Sequence, residues 1–108
     1  MSVKPVVPRE QANRDVEAAI DYYVREAGQD VAMAFIDALQ DAYRAIGENP
    51  GTGSPRYAHE LNLPGLRSCK LVRYPFLAFY HERPDHIDLW RVLHVQRDIP
   101  AWLHDTED

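Results

Sequence analysis

Only one cysteine, Cys69, stands in the 108 residues, so no disulfide can form within the chain. No apolar run approaches the roughly 18 residues that a membrane-spanning helix requires. The opening residues Met1-Ser2-Val3-Lys4-Pro5 contain no apolar leader segment. Together these absences lead to the expectation of a single domain in a reducing cytoplasm, with no membrane partner. The five histidines are scattered, and none forms a Cys/His spacing of the kind that holds zinc. Neither a metal nor a cofactor is expected. Basic charge is also short: the net charge of −5 differs from the strongly cationic balance of a dedicated nucleic-acid binder.

The charge that is present is unevenly spread. Residues 1–55 carry five basic and nine acidic side chains, whereas residues 56–98 carry seven basic and five acidic ones. The basic excess therefore lies in the middle and later part of the chain, and such an asymmetry concerns partners more than fold. Helical periodicity begins near Ala12, where Val16, Ala19, Ile20, Tyr23 and Ala27 recur at helical spacing. Asp15, Glu17, Asp21 and Arg25 are assigned to the opposite face, and Gly28 ends the helix. Asp30 is expected to cap a second helix that runs through Phe35, Leu39, Tyr43 and Ile46 to Gly47. A break this short predicts an antiparallel helical hairpin.

Residues 48–64 hold three prolines and two glycines among polar residues and are expected to form a loop. Strand patterning follows at 66–71, 76–81 and 87–95, with short turns between, which predicts an antiparallel meander. Residues 3–7, bounded by Pro5 and Pro8, are expected to form at most a short edge strand. The resulting order is β-α-α-β-β-β, an α+β fold whose sheet is covered on one face by the helical hairpin. Simple alternation places Ile87, Leu89 and Leu93 on one face of the last strand and Trp90, Val92 and His94 on the other. Both faces are then partly apolar, and two covers are open for the second. Either the C-terminal segment folds back with Ala101, Trp102 and Leu103, or a protein partner sits there.

Several of these segments resemble a known family. Leu66-Arg67 before a strand, Arg73-Tyr74-Pro75-Phe76, Phe79-Tyr80, and the ending Arg91-Val92-Leu93-His94 with Arg97-Asp98 are similar to the RelE/ParE toxins. Asp21-Tyr22-Tyr23, Phe35 and Asn49-Pro50 agree, so the resemblance spans residues 6–98, with 99–108 as a tail. It implies the toxin component of a type II toxin–antitoxin module that inhibits growth and forms a hetero-oligomer with its antitoxin. RelE-like members cut messenger RNA on the ribosome, and ParE-like members inhibit DNA gyrase without nuclease chemistry. The wording of the motifs and the acidic balance favour the ParE-like branch, which leans away from an enzyme. A non-toxic binding module of the same fold is the third reading.

Each reading names its residues. Cleavage by attack of a 2′-hydroxyl needs a base, a cation on the phosphate and an acid for the leaving oxygen. His94 or His81, with Arg67, Arg73, Arg91 and Tyr80, contain those groups. Alternation warns that Arg91 and His94 face opposite sides unless a bulge intervenes. The plainer reading makes His94 a structural histidine and Arg97 with Asp98 a local ion pair. For a binding toxin the target is expected on Arg67, Arg73, Arg91, His94 and Arg97, and the antitoxin on Tyr22, Trp90, Val92 and Trp102.

Overall fold

The computed structural model describes residues 3–97 and 99–104, the side chain of His104 excepted. A short strand β1 (Val6–Pro8) leads into the helices α1 (Glu10–Ala27) and α2 (Gln29–Glu48). A single 3-10 turn (Pro50–Thr52) and a short helix α3 (Arg56–Leu61) follow. The strands β2 (Leu66–Lys70), β3 (Phe76–Glu82) and β4 (Ile87–His94) precede a last helix α4 (Ile99–His104). Gly28 is the whole link between the long helices. Its φ of 98° is one that side-chain-bearing residues avoid, and its N–H donates to the Tyr23 carbonyl. Asp30 does not cap α2: Gly28 takes that position, and Asp30 lies inside the first turn, where its charge still suits the helix dipole.

The α+β architecture and the helical hairpin are as expected, but the sheet is mixed. Its order is β1-β4-β3-β2, with β2, β3 and β4 antiparallel and β1 parallel to β4 through Val6↔Ile87 and Pro8↔Leu89. β1 can lie parallel to β4 because the long crossover between them, which includes both long helices, lets the chain return in the same direction. The loop predicted at 48–64 also contains α3, whose six residues are too few for a periodic signal.

Apolar side chains fill both faces. Against the hairpin lie Phe35, Leu39 and Ile46 from α2, with Phe76, Ala78 and Tyr80 from β3 and Ile87, Leu89 and Val92 from β4. Tyr23, Phe35, Tyr74 and Phe76 meet there with ring centroids 5.3–6.3 Å apart, within the range of favourable aromatic packing. The opposite face packs Leu66, Phe79, Trp90 and Leu93 against Leu63, Ile99 and Leu103. The second face, expected to be open or covered, is therefore largely closed by α3, α4 and their flanks. Residues beyond 98 contribute to the fold, since Ile99 and Leu103 are buried. The tail acids Asp105, Glu107 and Asp108 lie outside the described residues.

A register shift between Phe79 and Tyr80 changes the parity of β4: Phe79 pairs with Arg91, yet Tyr80 pairs with Leu89, leaving Trp90 as the extra residue of a bulge. Ile87, Leu89 and Val92 therefore share the hairpin face, and Trp90 and Leu93 share the other. This corrects the simple alternation, which set Leu93 with Leu89 and Val92 with Trp90.

Asp88 fastens the sheet at the far end of β4. Arg9 grips its carboxylate with two bonds of 3.0 Å, Arg83 adds one of 3.0 Å, and the Trp90 indole N–H donates at 3.3 Å. Burial alone raises the pKa of Asp88, but these donors outweigh it and hold the group at about 2. The stabilisation is complete above about pH 4 and disappears as pH falls through about 2. Acid titration followed by circular dichroism should show an unfolding step in that window, and Asp88→Asn should weaken it.

Candidate groove between α1 and the end of β4

An open groove of about 640 Å³ runs between α1 and the ends of β3 and β4. Tyr22, Tyr23, Phe76, His94, Arg97 and Trp102 line it. Tyr22 stands on the outer side of α1 and is 53% exposed, with its ring edge against Tyr23 at 5.5 Å. Two guanidinium groups approach the Trp102 ring, Arg91 at 4.9 Å and Arg97 at 4.8 Å from its centre. Such contacts contribute about 0.5–1 kcal/mol each where exposed and more where water is excluded. At the end of β4, His94 sets its ring against Phe76 at 5.2 Å and accepts the Gln96 N–H through Nδ1 at 3.1 Å. Those contacts fix the ring at the strand's end while leaving it in the lining of the groove. The ion pair expected between Arg97 and Asp98 lies outside the described residues.

Asp15 organises the groove's wall. Arg91 donates to both of its oxygens at 2.7 Å, from Nε to Oδ2 and from Nη2 to Oδ1, and the Val92 N–H donates to Oδ2 at 3.1 Å. Both side chains are close to buried, 7% exposed for Arg91 and 12% for Asp15. This residue was assigned to the solvent face of α1, and it is the main feature that sequence reasoning missed. The available signal was its spacing: Asp15 lies three residues after Ala12 and four before Ala19, both buried.

The groups named for RNA cleavage do not all come together: Arg67 and Tyr80 meet, but His94 and Arg91 lie elsewhere. Tyr80 is 1% exposed, and its hydroxyl donates to the Pro50 carbonyl at 2.6 Å. Burial raises its pKa, a nearby Cys69 adds to this, and Arg67 partly opposes it. Arg67 pairs across the strands with Tyr80 and donates to the Gly53 carbonyl at 2.7 Å. Gly53 leaves room for that hydroxyl, because a Cβ there would overlap it. His94 pairs with Phe76, four residues from Tyr80 along β3, a separation of about 13 Å at strand rise. The bulge precedes Arg91, so it does not bring Arg91 to the side of His94. Arg91 is committed to Asp15. Arg73 sits at the β2–β3 turn with φ 71°, makes no ion pair among the described residues, and projects beside the exposed Val72. His81 stacks on Trp90 at 4.8 Å; burial first, then the charges of Arg83 and Arg9, lower its pKa.

Burial also removes two of the expected antitoxin contacts from the surface. Val92 is 2% exposed in the hairpin-facing core, and Trp90 is 5% exposed beneath Arg9, whose guanidinium lies 4.7 Å from its ring. Tyr22 and Trp102 remain accessible from the groove. Tyr80→Phe should lower stability by about 1–3 kcal/mol, because the Pro50 carbonyl loses its donor. Urea denaturation measures this directly. Among the described residues, no three His, Cys, Asp or Glu side chains are placed to hold a metal, and no helix is long and apolar enough to cross a membrane.

The overall fold, a helical hairpin on a four-stranded sheet, is similar to that of a solved chain described as a chromosomal ParDE TA system from P. aeruginosa. That similarity has a TM-score of 0.70 at 23% identity and covers 85% of this chain and 96% of the other, which identifies a RelE/ParE-like fold. Residues 6–99 match the family described as ParE toxin of type II toxin-antitoxin system, parDE, and the chain belongs to that family. No curated protein matches the sequence.

Proposed function

We propose that the protein is a toxin that arrests growth by binding DNA gyrase and is neutralised by a cognate antitoxin seated in the groove beside α1. Membership of the ParE family supports this reading. The observation that carries the choice of binding over cleavage is the dispersal of the acid–base groups. Tyr80 is spent on Pro50, Arg91 on Asp15, and His94 lies at the opposite end of β3 from the Arg67–Tyr80 pair. His94, Arg67 and Tyr80 are thus not within hydrogen-bond reach of one phosphate, which supports binding over cleavage.

Contacts with the target are assigned to Arg73 at its exposed turn and to Arg97 and His94 at the rim of the groove. An antitoxin lying in the groove would cover the last two, so antitoxin and target would compete. Purified protein should inhibit supercoiling by gyrase, and preincubation with the product of the adjacent reading frame should relieve the inhibition. Supercoiling at the rate of the untreated enzyme would reject the gyrase assignment. Arg97→Ala should abolish growth arrest on expression while leaving the circular dichroism spectrum unchanged; undiminished arrest would remove Arg97 from the contact surface.

A further inference from the structure

β4 has β3 along one side for its whole length, but β1 accompanies its other side only as far as Leu89. After Pro8 the chain turns away into α1, and residues 92–94 border the groove. The backbone bonds give the direction of each amide there. The Val95 N–H donates to Pro75, on the side of β3, while the Val92 N–H donates outward to Asp15. Alternation along an antiparallel pair then turns the N–H and C=O of both Val92 and His94 outward. Asp15 takes the Val92 N–H, and the Arg97 N–H donates to the His94 carbonyl at 3.0 Å. Two outward groups have no partner among the described residues: the Val92 C=O and the His94 N–H.

That pair distinguishes between directions of an added strand. A residue of an antiparallel neighbour bonds both groups of one residue, and here each residue already has one of its two groups occupied. A residue of a parallel neighbour instead donates to the carbonyl of one residue and accepts from the amide two positions further on. The free groups on Val92 and His94 have that spacing. We propose that an extended segment of the antitoxin adds to this edge as a fifth strand, parallel to β4 and in line with β1. This rests on the toxin–antitoxin reading above. The aromatic walls Tyr22, Phe76 and Trp102 suit apolar side chains on the added strand. Asp15 is already neutralised by Arg91, which leaves Arg97 at the rim to favour an acidic residue of the segment.

The test uses the ¹⁵N-labelled full chain with the purified product of the adjacent reading frame. In the complex, the His94 amide should exchange with solvent at least about tenfold more slowly than in the free chain, the effect of gaining one hydrogen bond. Overhauser contacts across the new pair should report parallel strands. His94→Pro removes the outward N–H together with the ring, a backbone change that a strand edge tolerates, and should weaken the complex about tenfold more than His94→Ala does. His94→Ala removes the same ring but keeps the amide, so the loss in His94→Pro beyond that in His94→Ala reports the backbone bond. A complex in which the His94 amide exchanges at its free rate, or in which the added strand runs antiparallel, overturns the proposal and leaves the toxin–antitoxin reading standing. Absence of any complex with the wild-type chain would remove both.

Discussion

Arg91→Ala should lower the stability of the domain by about 3–5 kcal/mol, the usual cost of removing one partner from a buried ion pair. The substitution strands Asp15 in a site only 12% open to water, where its carboxylate would keep only the Val92 N–H. Trp102 would also lose one of the two guanidinium groups that approach its ring, loosening α4. Arg91→Lys should recover only part of the loss, because an ammonium cannot bridge both oxygens. A double change, Asp15→Leu with Arg91→Met, should cost far less than Arg91→Ala alone, since no charge is then left unpaired. Urea unfolding of the wild type and these three variants measures all of this. Arg91→Ala at wild-type stability but without toxicity would return Arg91 to the target surface, where its motif first placed it.

An effect of similar size, about 3–5 kcal/mol, is expected from Phe35→Ala. Phe35 is fully buried, and its ring meets those of Tyr23, Tyr74 and Phe76 at 5.3–5.4 Å. No single neighbour can move into the space, because Tyr74 is tethered to the Val31 carbonyl at 3.0 Å and Phe76 is held in β3. The loss would fall where both long helices meet the sheet. Thermal unfolding of Phe35→Ala and Phe35→Leu should show the leucine variant retaining a good part of the stability. A loss below about 1 kcal/mol in Phe35→Ala would mean that the site collapses around the smaller side chain.

The helical hairpin was legible because its information is local. Gly28 marks the joint, and Ala19, Phe35, Leu39 and Ile46 repeat at helical spacing on the sides that are buried. The three later strands were legible for a similar reason, each being a branched or aromatic run between turn residues. Parity along β4 was not, because one bulged residue at Trp90 exchanges the faces of everything after it without altering composition. Asp15 and Arg91 stand 76 positions apart, so nothing near either one advertises the other. Tyr80 looked like a proton donor because its type allows it; only the fold reveals that Pro50, thirty residues away, holds the hydroxyl. Arg73 kept its place as a contact candidate for the opposite reason, since its exposed turn depends on neighbouring residues alone.

Binding in place of cleavage is the claim on which the functional account depends, and transcripts in growing cells test it most directly. Ends of abundant messages should be mapped by primer extension before and after the protein is expressed to the point of growth arrest. Unchanged message ends, together with relaxed plasmid DNA, are the expected result. New ends within translated codons, appearing as growth slows and absent in an Arg97→Ala strain, would show that the protein cuts RNA and that the groups dispersed here are assembled on the ribosome.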